Sequence, residues 1–180
     1  MKPGQAHPAI KEIERMLNVT DNIPEVKLTL LGYLVEAGKM EEAKIHASSL
    51  LEYDAKNEKL QFYLAKIAHN EGDYPRAIQH YNASIDLSVE PHLAQQLMAE
   101  CYFHIEDHTK AYELFTAAIK LYSDQNPKLL HYYLFAFSSY IVGDSTKAKR
   151  ALAMYRILDD DSDPELSKRA DELMKILEDG

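Results

Sequence analysis

Cys101, His104 and His108 are the residues whose types and spacing come nearest to chemistry. Two histidines four apart can share one helix face, a spacing that metal ligation uses. Here a turn is expected between His104 and His108, with no third histidine nearby in sequence, so no metal site is expected. Cys101 and His104 have the spacing of a nucleophile and its base. A thiol attacks only as the thiolate, and nothing in the surrounding sequence prepares one. Cys101, set among Ala99, Tyr102 and Phe103, reads as a small hydrophobe. The Asp and Glu residues follow solvent-face periodicity, which implies no paired acid and base. There is no glycine loop to cradle a phosphate and no nucleophile elbow. The expectation is a protein that is not an enzyme and takes no cofactor.

Charge narrows the partners. The chain of 180 residues carries a net charge of −9, with pI near 5.3, and acidic chains repel phosphate backbones, so nucleic acid is not an expected partner. Residues 159–180 hold nine acids against Lys168, Arg169 and Lys175, giving −6 of that −9. This end serves either to solubilise the chain or to dock a basic partner. The single cysteine excludes an internal disulfide and fits a reducing compartment. Residues Met1–Glu14 contain no apolar core of a signal peptide. The apolar stretches around Leu28–Val35 and Tyr132–Val142 are too short and mixed to span a bilayer. No membrane partner is expected, and a cytoplasmic location is.

The elements that position these residues repeat. EAGKMEEAK (36–44), NEGDYPRAI (70–78) and HIEDHTKAY (104–112) align without gaps, and Ala43, Ala77 and Ala111 lie 34 residues apart. IVGDSTKAK (141–149) places Ala148 a further 37 residues on, with the extra length assigned to the Ser123–Asn126 connection, where it costs little. Each segment reads as a helix ending on a turn, with glycine at Gly38, Gly72 and Gly143 for a positive φ. Asp73, Asp107 and Asp144 then cap the next helix, and Pro75 falls in its first turn. Pro24, Pro91, Pro127 and Pro164 punctuate the remaining connections.

These units resemble tetratricopeptide (TPR) repeats. Residues 58–91 carry the fullest copy, with Leu64, Ala65, Gly72, Tyr74, Ala77, Tyr81 and Ile85 at the family's packing positions. Met98, Ala99, Tyr102, Ala111, Phe115, Ala118 and Ile119 follow in the next unit, where Glu106 replaces the turn glycine. The resemblance implies an all-α, right-handed superhelical α-solenoid in a single domain, 1–180. Its units are an N-terminal half repeat at 7–20, repeats at 24–57, 58–91, 92–128 and 129–162, and a capping helix at 163–178. Ile13, Met16 and Leu17 are expected on the core face of the first half repeat, and Leu166, Ala170 and Leu173 on that of the cap, so the array reads as complete and capped. Tyr74, Tyr81 and Tyr102 are expected in the core. Tyr53, Tyr122 and Tyr155 are expected to contact the following repeat.

By the same resemblance, the first helix of each repeat lines a concave groove. The candidate partner-binding residues are Phe62, Lys66, His69, Gln96, Glu100, Phe103, Tyr133, Phe137 and Tyr140. The Lys/Asn/Arg clamp of chaperone-binding members is absent. Leu28, Gly32, Tyr63, Leu93 and Leu97 stand in its places, so the C-terminal tails of Hsp70 and Hsp90 are not expected partners. Phe62, Phe103, Tyr133, Phe137 and Tyr140 would receive the apolar anchors of an extended or helical peptide, or else pack between helices. The expected function is a non-catalytic adaptor or dedicated chaperone. A self-assembling scaffold, hence a homo-oligomer, is the alternative. A weaker likeness to the chaperones of type III secretion translocators is a third reading.

Overall fold

A computed structural model describes residues 8–19, 23–86, 92–119, 129–160 and 162–179. Pro91, Pro127, Tyr122, Asp161 and the Ser123–Asn126 connection lie outside them. The described residues form ten helices and no strand. These are α1 (Pro8–Val19), α2 (Pro24–Glu36), α3 (Met40–Asp54), α4 (Glu58–Asn70), α5 (Tyr74–Ile85), α6 (His92–His104), α7 (His108–Ile119), α8 (Leu129–Ile141), α9 (Ser145–Leu158) and α10 (Pro164–Asp179). None is long and apolar enough to cross a membrane.

One backbone device joins the helices within each pair. In α2–α3 the amide of Lys39 donates to the Leu34 carbonyl (2.9 Å) and that of Gly38 to Val35 (3.1 Å). The same two bonds recur at Asp73/Gly72, Asp107/Glu106 and Asp144/Gly143. This pairing satisfies the last carbonyls of a helix and requires a left-handed residue just past its end. Gly38, Gly72 and Gly143 take φ of 73°, 76° and 87°, and Glu106 takes 63° at the equivalent place. The next residue then starts the second helix. The side chains of Asp73, Asp107 and Asp144 accept the amides of Arg76 (3.2 Å), Lys110 (3.0 Å) and Lys147 (3.0 Å). Lys39 holds that place in the first pair and makes no side-chain cap. Asn57 caps α4 through Leu60 (3.1 Å) and Asp163 caps α10 through Leu166 (3.1 Å). Pro24 and Pro164 open their helices, where the missing amide hydrogen is harmless.

Residues 1–94 and 95–180 form two compact units. In the first, α1 packs on α2, α2 on α3 and α4, and α4 on α5. Its core gathers Ile10, Leu30, Leu31, Leu34, Ala43, Ala47, Leu60 and Leu64. In the second, α7 packs on α8, and α8, α9 and α10 pack on one another around Phe115, Phe135, Leu152, Tyr155, Leu173 and Leu177. Ala43, Ala77, Ala111 and Ala148 are all fully buried, as small residues must be where two helix backbones approach closely. On α1, Met16 is 47% exposed and not in the core, where Ile10 sits instead. On α10, Ala170 and Leu173 are buried, and Arg169 turns outward to Glu165 at 3.2 Å. Tyr81 is fully buried, while Tyr74 and Tyr102 are half-buried. Tyr155 lies in the core with its hydroxyl 3.3 Å from Ser167 of α10, and Tyr53 is 70% exposed.

Candidate partner-binding faces

In the first unit, α2 and α4 lie side by side, and α4 supplies the expected Phe62, Lys66 and His69. A glycine in mid-helix, Gly32, brings them together. A Cβ built there would stand 2.5 Å from the Tyr63 hydroxyl oxygen and 2.8 Å from its Cζ. The Tyr63 ring therefore occupies space that any other residue at position 32 would fill. Burial, and then the charge of Glu36, hold its phenol above the ordinary value. An open cleft of about 450 Å³ runs past this contact, lined by Glu25, Leu28, Gly32, Glu36, Lys59 and Tyr63. At its edge Lys66 is ion-paired with Glu36, and its ammonium lies 5.8 Å from the Phe62 ring centre. Phe62 is half-buried, edge-on to Tyr63 and Tyr81 at 6.0 Å each. His69 lies edge-on to Tyr74 at 5.7 Å, with Nδ1 3.4 Å from the Tyr81 hydroxyl. Phe62, Lys66 and His69 thus form one continuous half-buried strip along α4.

In the second unit the expected residues separate into two kinds. Gln96 is only 7% exposed, which withdraws it from a partner that docks without moving the helices. Glu100 is turned inward and its carboxylate lies 3.2 Å from Nε2 of His131, itself 3% exposed. Gln96 is buried and Glu100 is paired with His131 inside the unit, so neither side chain stands open. Phe103, Tyr133, Phe137 and Tyr140 behave differently. Phe103 meets Phe137 at 5.5 Å, and His108 meets both, at 5.0 and 5.5 Å. Tyr133 lies 6.3 Å from Phe137. Residues 133, 137, 140 and 141 share one face of α8 by helical spacing. Along it the side chains become more exposed, from half-buried Tyr133 and Phe137 to Tyr140 at 37% and Ile141 at 50%. The Tyr133 phenol is held up mainly by burial, with Arg169 and Glu172 of α10 close enough to act on it in opposite senses.

Two contacts lie beyond what the sequence predicts. The Gly32–Tyr63 approach is foreshadowed only by a glycine inside a helix without a turn to make, a sign of close packing. The His131–Glu100 pair is foreshadowed by a histidine within the apolar run of α8; its partner, 31 positions back, has no local signal.

Chemistry at the remaining candidates is limited by their surroundings. Burial, and then the neighbouring Glu100 carboxylate, push the Cys101 thiol up to about 12, far from a thiolate at neutral pH. His104 is exposed at the end of α6 while His108 packs against two phenylalanines. Among the described residues no three His, Cys, Asp or Glu side chains gather as a metal would require.

No protein-family model and no curated protein matches the chain. Solved structures do. It is similar to YrrB, a TPR protein (TM-score 0.74, 12% identity, 94% of this chain and 85% of that one). It is also similar to MamA, residues 41 to the end, from Desulfovibrio magneticus RS-1 (TM-score 0.69, 16% identity, 89% of each chain). A thermophilic TPR protein of Thermus thermophilus matches with a TM-score of 0.61 and 14% identity, over 92% of this chain and 89% of that one. The repeated turns, the packed helix pairs and these likenesses agree: the chain has the tetratricopeptide-repeat fold, an all-α helical-repeat solenoid.

Proposed function

We propose that this chain is a non-catalytic protein-binding module that receives an apolar segment of a partner along the first helices of its repeats. The observation that carries this is the ring stripe of α8, which leads from Tyr133 and Phe137, packed with Phe103 and His108, out to exposed Tyr140 and Ile141. A stripe that is apolar throughout yet rises to the surface offers anchor sites for large apolar side chains, with little desolvation to overcome. The strip Phe62–Lys66–His69 on α4 offers the same kind of surface with one cation, already held by Glu36. Among the structurally similar proteins, YrrB is described as having an unusual peptide-binding site.

Tyr140 is the residue to test, since it is exposed and its loss does not open the core. Peptides selected by display on the immobilised chain would be titrated by calorimetry against the parent and Tyr140→Asp. The expected result is a loss of affinity of roughly tenfold or more, about 1.4 kcal/mol, with unchanged helical circular dichroism. Equal binding of the selected peptides by Tyr140→Asp, and by Phe137→Ala, would remove α8 from the binding face.

A further inference from the structure

The second helices of the four repeats, α3, α5, α7 and α9, differ in what they leave exposed. Among the described residues, α5 and α7 expose no large apolar side chain. The first and the last do. On α3, Ile45 is 72% and Tyr53 70% exposed; on α9, Ile157 is 73% and Met154 40% exposed. The same two helices have opposite charge. α3 carries Glu41, Glu42, Glu52 and Asp54 against Lys44, a net −3. α9 carries Lys147, Lys149, Arg150 and Arg156 and no acid, a net +4. α5 and α7 carry at most a single net charge. Among the described residues of the second helices, apolar exposure and strong charge thus fall together on α3 and α9 and on neither α5 nor α7.

The two faces also match in register. Ile45, Ser48, Ser49 and Glu52 lie along one stripe of α3, and Arg150, Ala153 and Ile157 along one stripe of α9, by helical spacing. Set antiparallel, Ile157 meets Ile45, and small Ala153 meets exposed Ser48, beside half-buried Ser49, whose hydroxyl accepts from Lys27 of α2 (3.2 Å). Arg150 then meets Glu52. Neither Arg150 nor Glu52 has an ion-pair partner among the described residues. From this charge and shape complementarity we propose that α3 of one copy of this chain docks on α9 of a second copy, head to tail. The pairing is heterologous: each copy offers one acidic-apolar face and one basic-apolar face. It is independent of peptide binding on the first helices.

The test uses the whole chain in sedimentation velocity over a concentration series, with surface variants whose folding is checked by circular dichroism. The parent is expected to gain mass with concentration. Ile45→Asp removes the α3 face, and Ile157→Asp removes the α9 face, so each alone is expected to stay a monomer. Mixed, they retain one intact face each and are expected to form a 1:1 dimer of twice the monomer mass. Glu52→Arg is expected to weaken self-association at least tenfold, and Arg150→Glu in the same chain to restore it. A parent that stays monomeric at every concentration overturns the proposal. So does a parent that assembles while Ile45→Asp and Ile157→Asp still self-associate, or while their mixture fails to pair.

Discussion

At Glu106 the backbone takes a φ of 63°, in line with the 73°, 76° and 87° of the three glycines that end the other first helices. A side chain in that conformation brings Cβ against a carbonyl oxygen, at roughly 1–2 kcal/mol. Glu106→Gly is therefore expected to raise the unfolding free energy by about 1 kcal/mol, part of the relief being lost to glycine's freer unfolded chain. A urea titration measures it, and an unchanged midpoint would mean the turn carries no strain. The converse change, Gly72→Ala, is expected to cost a similar amount at an exposed site with nothing within 4 Å of the added methyl. Individual residues of this kind are the most legible part of the sequence. Asp73, Asp107 and Asp144 cap because their carboxylates reach amides three residues on, a purely local geometry. Asn57 makes the same bond but stands between repeats, outside the phased segments that reveal the others.

Helix boundaries are legible for the same local reason: glycine, aspartate and proline mark most of the stops and starts, with Glu106, Lys39 and Asn57 the exceptions. What helices do to each other is less so. Met16 has the right phase for the core and is 47% exposed, while Ile10 of the same helix is buried against α2. Gln96 and Glu100 have groove phase yet are turned inward, Glu100 by a histidine on α8 that no local pattern points to. The contact of α2 with α4 at Gly32 and Tyr63 supplies a direct measure of such packing. Gly32→Ala forces the end of the Tyr63 ring aside and is expected to lower stability by about 1 kcal/mol, crowding outweighing better helix propensity. In a Tyr63→Ala background the crowding is gone, and the same change is expected to raise stability by up to about 1 kcal/mol. The double-mutant cycle reads the reversal of sign; additive effects would show that the close approach carries no energy.

Across the whole chain, several groups have their neutral form favoured by folding. Burial raises the Cys101 thiol from 9.0 to about 12, and raises the phenols of Tyr63, Tyr132, Tyr133 and Tyr155 above 10.0. Each is an acid whose folded value exceeds its unfolded one. Its contribution to stability is intact below the unfolded value and is lost as pH rises through the folded one. Urea midpoints are expected to hold level from about pH 7 to 8.5 and to fall from about pH 9 toward 12, and Cys101→Ala to remove the earliest part of that fall. A decline no different in the Cys101→Ala chain would show that the thiol is not held neutral by the fold. The opposed faces of α3 and α9 have a consequence of another kind. A contact that uses one face of each type never exhausts the supply, since every added copy brings a fresh pair. In the proposed pairing, the number of copies is then set by whether the turn between successive copies closes a ring, not by the interface itself. A copy with either face blocked ends the proposed series on that side, so a minority of such copies is expected to hold the assemblies small.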